Sequence, residues 1–197
     1  ISGYAENLQM NPEHPKRDAY IRGIHSGVAY MNRTIEEILT LSKLEEHTTA
    51  LTKVSVNLNE QLNTLLEKHS HLIEERNLHI NASGTGSVTG DATLLGEALD
   101  NLLVNALTHS PEGSTVTITI TDNCFTVSNP CETDLQGRIN ELRSPFVTGD
   151  KNRSDQKGSG LGLAIVQNIA DLHSCKLELS SENQTFEARL LFPIRKK

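Results

Sequence analysis

The chain has 197 residues, 36% of them hydrophobic and 22% charged, which suits a globular protein with one good-sized core and a smaller appendage. A net charge of -7 and a pI near 5.6 exclude a protein built mainly to grip nucleic acid or anionic lipid, since both need a net basic face. Three scattered cysteines without zinc-ligand spacing predict neither a disulfide framework nor a metal knuckle, and a reducing compartment such as the cytoplasm fits them.

No run approaches the roughly 20 apolar residues needed to span a bilayer. The chain starts without methionine and reads as a fragment. Ile1 to Met10 reads as the last turns of one helix, and Asn11-Pro12-Glu13-His14-Pro15 as a turn that cannot continue it. From there Ile21, Ile24, Val28, Met31, Ile35, Ile38, Leu41 and Leu44 recur at three- and four-residue steps, one apolar stripe on a long helix. Such a stripe needs a cover, either a second copy in a helical bundle or the rest of the same chain.

Past a boundary near residue 50 the elements shorten. A strand at 53–56, a helix over about 58–76, a strand at 78–81 and a turn through Gly84 and Gly86 are predicted. A helix over about 92–108 follows, stopped by Ser110-Pro111-Glu112-Gly113. The alternating Thr115-Val116-Thr117-Ile118-Thr119-Ile120 makes a strand with one wet face, and Asp122-Asn123 turns it into another from Cys124 to Ser128. A helix over about 161–173 and strands at 176–180 and 185–192 complete an α+β domain. Its expected form is an α/β sandwich, a mixed and mostly antiparallel sheet covered by helices, with residues 1–50 as a truncated helical hairpin and 51–197 as the second domain.

Two clusters carry chemistry. Asn101 and Asn105 stand four apart and project from one side of their helix, while Leu95, Leu99, Leu102 and Leu103 give the other side apolar cover. An amide oxygen suits magnesium when nucleotide phosphates supply the negative charge; the pair also reads as polar surface or a helix-helix hydrogen bond. Then Gly158-Ser159-Gly160-Leu161-Gly162 leads into an apolar helix. Glycines let backbone N–H groups approach a phosphate, and the helix start adds partial positive charge, although a tight packing turn has the same composition. Lys157 precedes the glycines, so this is not a Walker-type loop.

Asn101-Leu102-Leu103-Val104-Asn105-Ala106, then Ser144-Pro145-Phe146, then Gly158-Ser159-Gly160-Leu161-Gly162-Leu163 resemble, in order and spacing, the N, F and second G boxes of sensor histidine kinases. These are members of the gyrase/Hsp90/histidine-kinase/MutL ATPase group. Gly90-Asp91, Thr185-Phe186 and the helix exit Leu41-Ser42-Lys43-Leu44-Glu45 match as well. The resemblance implies the Bergerat-type ATP-binding fold, with ATP and Mg2+ as cofactors. It places Asn105 on the metal, Asn101 beside the phosphates, and Gly158, Ser159, Gly160, Leu161 and Gly162 along the triphosphate. Phe146, His109 and Thr185 become further nucleotide contacts, with the His109 ring near the base. Residues 147–159 would form a lid whose Lys151, Arg153 and Lys157 stabilise charge on the transferring phosphoryl group, or else are solvated loop charges.

Three departures stand out. Asn129 falls where the family's first G box has the adenine-binding aspartate, so an amide oxygen replaces a carboxylate as acceptor. Thr108 and Thr148 stand where many relatives have basic residues. None of the eight histidines lies in the family's acceptor motif, so the phosphate-accepting histidine is expected about two turns before Ile1 in the parent protein.

The implied activity is ATP-dependent phosphorylation of a histidine, followed by transfer to an aspartate of a response regulator receiver domain in a two-component phosphorelay. The implied partners are that receiver and a second copy through the hairpin, with no nucleic acid, and membrane attachment only through an upstream segment of a membrane-anchored parent. Alternatives are a nucleotide-free dimeric scaffold for a response regulator, favoured by Asn129-Pro130-Cys131, and a serine kinase or ATPase of the same group.

Overall fold

The structure, a computed structural model, describes residues 1–11, 14–45, 51–131, 135–147 and 158–193. The chain forms two compact units, Ile1–Thr40 and Leu41–Lys197. The division falls inside a helix, whose Leu41 and Leu44 are buried in the core of the second unit.

In the first unit α1 (Ser2–Met10) lies against α2 (Arg17–Glu45). Two glycines on α2 allow the approach: a Cβ at Gly23 would stand 2.5 Å from Tyr4 Cε2, and one at Gly27 would stand 2.5 Å from Ile1 Cγ1. Tyr4 stacks on Tyr20 with ring centroids 5.7 Å apart, and the His14 ring tilts against Tyr20 at 5.1 Å. Further along α2, Val28, Met31, Ile35, Ile38 and Leu39 are exposed, an apolar stripe without cover.

The second unit begins with β1 (Lys53–Asn57), which pairs antiparallel with β3 (Ser87–Asp91). Asn57 caps α3 (Leu58–Lys68), its side chain accepting from the N–H groups of Asn59 and Glu60. The single helix expected over 58–76 is two, α3 and α4 (Ser70–Glu75), broken at His69. That break brings the His69 ring to Asp100, with Nε2 2.5 Å from Oδ1, while Lys68 Nζ lies 2.7 Å from Oδ2.

The main sheet holds β2 (His79–Gly84), β4 (Thr115–Thr121), β5 (Cys124–Pro130), β6 (Lys176–Glu182) and β7 (Thr185–Leu191), ordered β2-β4-β5-β7-β6. β2 and β4 are parallel and the other pairs antiparallel. The β6–β7 hairpin turns on Asn183 and Gln184, with φ of 50° and 58°, the left-handed pair that matches strand twist. One face buries Val116, Ile118, Ile120, Phe125, Val127, Leu177, Phe186, Ala188 and Leu190. α5 (Ala92–His109) and α6 (Gly162–Leu172) cover it with Leu95, Leu99, Leu102, Leu103, Ile165, Val166 and Ile169, each at most 1% exposed. Burial of such a side chain contributes about 2 kcal/mol, so this helix–sheet layer fixes where α5 and α6 stand. The α+β sandwich and its mostly antiparallel mixed sheet agree with the sequence reading.

Candidate active site

The asparagine helix is held at both ends. At its start the Asp91 carboxylate accepts from the N–H groups of Thr93 and Leu94, at 3.1 and 3.2 Å, satisfying two donors that a helix leaves open. At its end the Arg76 guanidinium donates to the carbonyls of Thr108 and Ser110, at 2.7 and 2.6 Å. Between them Asn101, Asn105 and His109 follow one another at four-residue steps, all partly buried, opposite the leucine face.

The Asn101 carboxamide donates through Nδ2 to the carbonyl of Glu97 at 3.0 Å. Its Oδ1 is thereby turned to Gly162, where an added Cβ would stand 2.9 Å away. A side chain at the first residue of α6 would therefore have to displace the Asn101 carboxamide. Among the described residues the Asn105 side chain makes no hydrogen bond, which leaves its carboxamide available to a ligand.

The glycine segment closes on the Phe146 turn. Phe146 N–H donates to Gly160 C=O at 3.0 Å, and Gly160 has φ of 75°. A Cβ there would stand 2.8 Å from the Phe146 carbonyl carbon and 2.9 Å from Val147 N, so only glycine fits this crossing. Phe146 itself has φ of 64° and is 66% exposed. Ser159 Oγ accepts from Leu161 N–H at 3.1 Å, Leu161 is fully buried, and no side chain caps α6 among the described residues. An uncapped helix start leaves N–H groups open and carries partial positive charge.

Asn129 is 2% exposed and lies on the helix-facing side of β5, opposite Phe186 of β7. Its Nδ2 donates to Pro130 C=O at 2.9 Å. A carbonyl only accepts, so this bond fixes the amide's orientation and leaves Oδ1 as the free acceptor. Thr185 opens β7, one residue before Phe186. Strand alternation turns it to the opposite face from Phe186, where it is exposed and pairs with Pro130, away from Asn129 and the helices. Thr148, Lys151, Arg153 and Lys157 lie outside the described residues.

Two carboxylates near the asparagine helix are held by hydrogen bonds. Asp100 directly precedes Asn101 but turns to α3; burial works to raise its carboxyl, and hydrogen bonds from Lys68 and His69 outweigh this and hold it below the ordinary 3.8. Asp91 is also lowered: burial opposes, while the N–H groups of Leu94, Thr52 and Thr93 prevail. Among the described residues no three His, Cys, Asp or Glu side chains gather at metal-binding spacing. A magnesium ion here would therefore depend on the Asn105 carboxamide together with phosphate oxygens, a donor set that suits this hard cation.

Two contacts escaped the sequence reading. Arg76 is distant in sequence from the carbonyls it holds, and the buried His173 accepts a hydrogen bond from Asp91 N–H across 82 residues. Only the helix-ending position of His173 hinted at a structural role.

Residues 90–196 match the family described as histidine kinase-, DNA gyrase B-, and HSP90-like ATPase. The chain belongs to this ATPase family. Within it, the probable sensor protein PcoS of Escherichia coli is 31% identical over 200 residues, covering 97% of this chain and 40% of that protein. The chain thus spans well under half the length of this relative. Among solved structures, the histidine kinase AdeS of Acinetobacter baumannii superposes with a TM-score of 0.69 at 16% identity, over 99% of this chain and 93% of that one. Full-length ShkA in complex with AMPPNP gives 0.70 at 17% identity, over 92% and 40%. These likenesses show the family's fold, with the asparagine helix and glycine segment inside the matched region. Among the described residues no helix is long and apolar enough to cross a membrane.

Proposed function

We propose that this chain is the ATP-binding catalytic part of a sensor histidine kinase. The observation that supports the reading is the close approach of Asn101 Oδ1 to Gly162, the first residue of the helix that the glycine segment leads into. ATP binds there with its phosphates along Gly158, Ser159, Gly160, Leu161 and Gly162. Asn105 holds Mg2+, which supplies neutralisation of phosphate charge when bound. Asn129 Oδ1 accepts from the base amino group, and His109 and Phe146 line the nucleotide. Lys151, Arg153 and Lys157 of the lid stabilise charge on the transferring group.

In the reaction the bond between the γ-phosphorus and the bridging oxygen of ADP breaks and a phosphorus–nitrogen bond to a histidine forms. The acceptor is a histidine other than the eight here, none of which has the acceptor motif around it. The phosphoryl group then passes to an aspartate of a response regulator receiver domain. The exposed stripe of Val28, Met31, Ile35, Ile38 and Leu39 supports a homodimer through the helical hairpin. We place the chain on the cytoplasmic side of a membrane-anchored parent.

Calorimetry with Mg-ATP on this chain and on its Asn105→Ala variant tests the reading. Binding by the native chain that weakens at least tenfold in the variant is expected, since a ligand to a charged group is lost (about 1.5–3 kcal/mol). No binding by the native chain at millimolar nucleotide would favour the scaffold reading that the uncharged Asn129 suggests.

A further inference from the structure

His173 is 6% exposed, and two hydrogen bonds fix the state of its ring. Nδ1 lies 2.8 Å from the carbonyl of Ile169, which only accepts. Nε2 lies 3.0 Å from the backbone nitrogen of Asp91, which only donates. The ring therefore carries its proton on Nδ1 and offers the Nε2 lone pair to Asp91.

Asp91 is itself a junction. Oδ1 accepts from Thr93 and Leu94 at the start of α5, and Oδ2 accepts from Thr52 N–H at 3.1 Å, at the entry to β1. Through His173 the same residue is joined to the end of α6. The fit around the ring is close: a Cβ on Gly90 would stand 2.8 Å from His173 Cδ2 and 2.5 Å from Leu95 Cδ1.

α5 and α6 therefore meet at two separated places. One is Asn101 against Gly162, in the nucleotide cleft; the other is Asp91 against His173, at the start of α5 and just past the last residue of α6. At 1.5 Å per residue these ties are about 15 Å apart. Two ties on packed rods set the angle between them, so a movement at the second is felt at the first.

We propose that His173 is a positioning residue for the nucleotide site, holding Asp91 so that the angle between α5 and α6, and with it the match of Asn101 to Gly162, follows the entry of β1 at Thr52. This rests on the ATP-binding reading above.

The test compares His173→Asn with His173→Gln. Asparagine keeps an N–H for the Ile169 carbonyl but cannot reach Asp91, whereas glutamine can place its carbonyl oxygen near the position of Nε2 and accept from Asp91. The side-chain amide resonances of Asn101 and Asn105 are recorded in the nucleotide-free protein, and Mg-ATP affinity is measured by calorimetry below the melting range of each variant. The asparagine variant is expected to shift both resonances and weaken binding roughly fivefold or more, and the glutamine variant to return both toward the native values.

A lower melting temperature with both resonances and affinity unchanged makes His173 a stabilising residue only and overturns the proposal. Should His173→Asn fail to fold, Thr52→Pro, which removes the donor to Asp91 Oδ2, is read in the same way, and unmoved resonances overturn it. A native chain that binds no nucleotide sinks the functional reading alone, and the resonance shifts still decide this one.

Discussion

Replacing Gly162 by alanine separates the stability of the fold from the readiness of the cleft. The new Cβ would stand 2.9 Å from Asn101 Oδ1, inside the roughly 3.3 Å of a relaxed carbon–oxygen contact. The asparagine side chain yields more easily than a helix backbone, so the carboxamide swings away and loses its bond to Glu97 C=O, a net cost of about 1 kcal/mol. Alanine for glycine at the head of α6 returns up to about 1 kcal/mol in helix propensity. The two nearly cancel, so the melting temperature moves by no more than about 4 °C. Binding does not cancel. The displaced amide no longer meets a charged phosphate, which costs about 1.5–3 kcal/mol, or roughly tenfold to a hundredfold in affinity. Thermal melts and calorimetry with Mg-ATP on the same two proteins give both quantities. Unchanged affinity together with an unchanged melt would refute the claim that Asn101 and Gly162 share the ligand's space.

Arg76→Met should destabilise the chain by about 2–4 kcal/mol, because two charge-assisted bonds to the carbonyls of Thr108 and Ser110 disappear; urea unfolding measures it, and a loss below 0.5 kcal/mol, on the order of a surface substitution, would mean the clamp is idle. Asp100, held below 3.8 in the fold, contributes stability that is fully present above that value and is lost as pH falls through its lowered folded value. Unfolding free energy of the native chain should therefore fall more steeply below pH 4 than that of Asp100→Asn, and parallel curves would count against the Lys68–Asp100–His69 cluster.

The asparagine row was legible because helix geometry is local: a spacing of four suffices to put Asn101 and Asn105 on one side. The glycine segment was legible for a similar reason, since a Cβ at Gly160 would meet crossing backbone and one at Gly162 the Asn101 carboxamide. The facing of Thr185 is not legible in this way. Thr185 and Phe186 are adjacent, and only the pairing of Asn129 with Phe186 decides which of them turns toward the helices. The break at His69 was equally hidden, because its reason is a partner at Asp100, 31 residues onward. Contacts made across the fold, such as Arg76 on Thr108 and His173 on Asp91, leave no periodic trace.

Among the described residues β7 comes after every other strand, yet it lies in the interior of the sheet, between β5 and β6. A ribosome must therefore deliver residues 185–191 before the two halves of the layer can be joined. Until then β5 and β6 wait with bare edges, exposed to pairing with other chains. A stop codon ahead of Thr185 would remove two strand interfaces at once, so chaperone capture of the nascent chain should persist until β7 has left the exit tunnel.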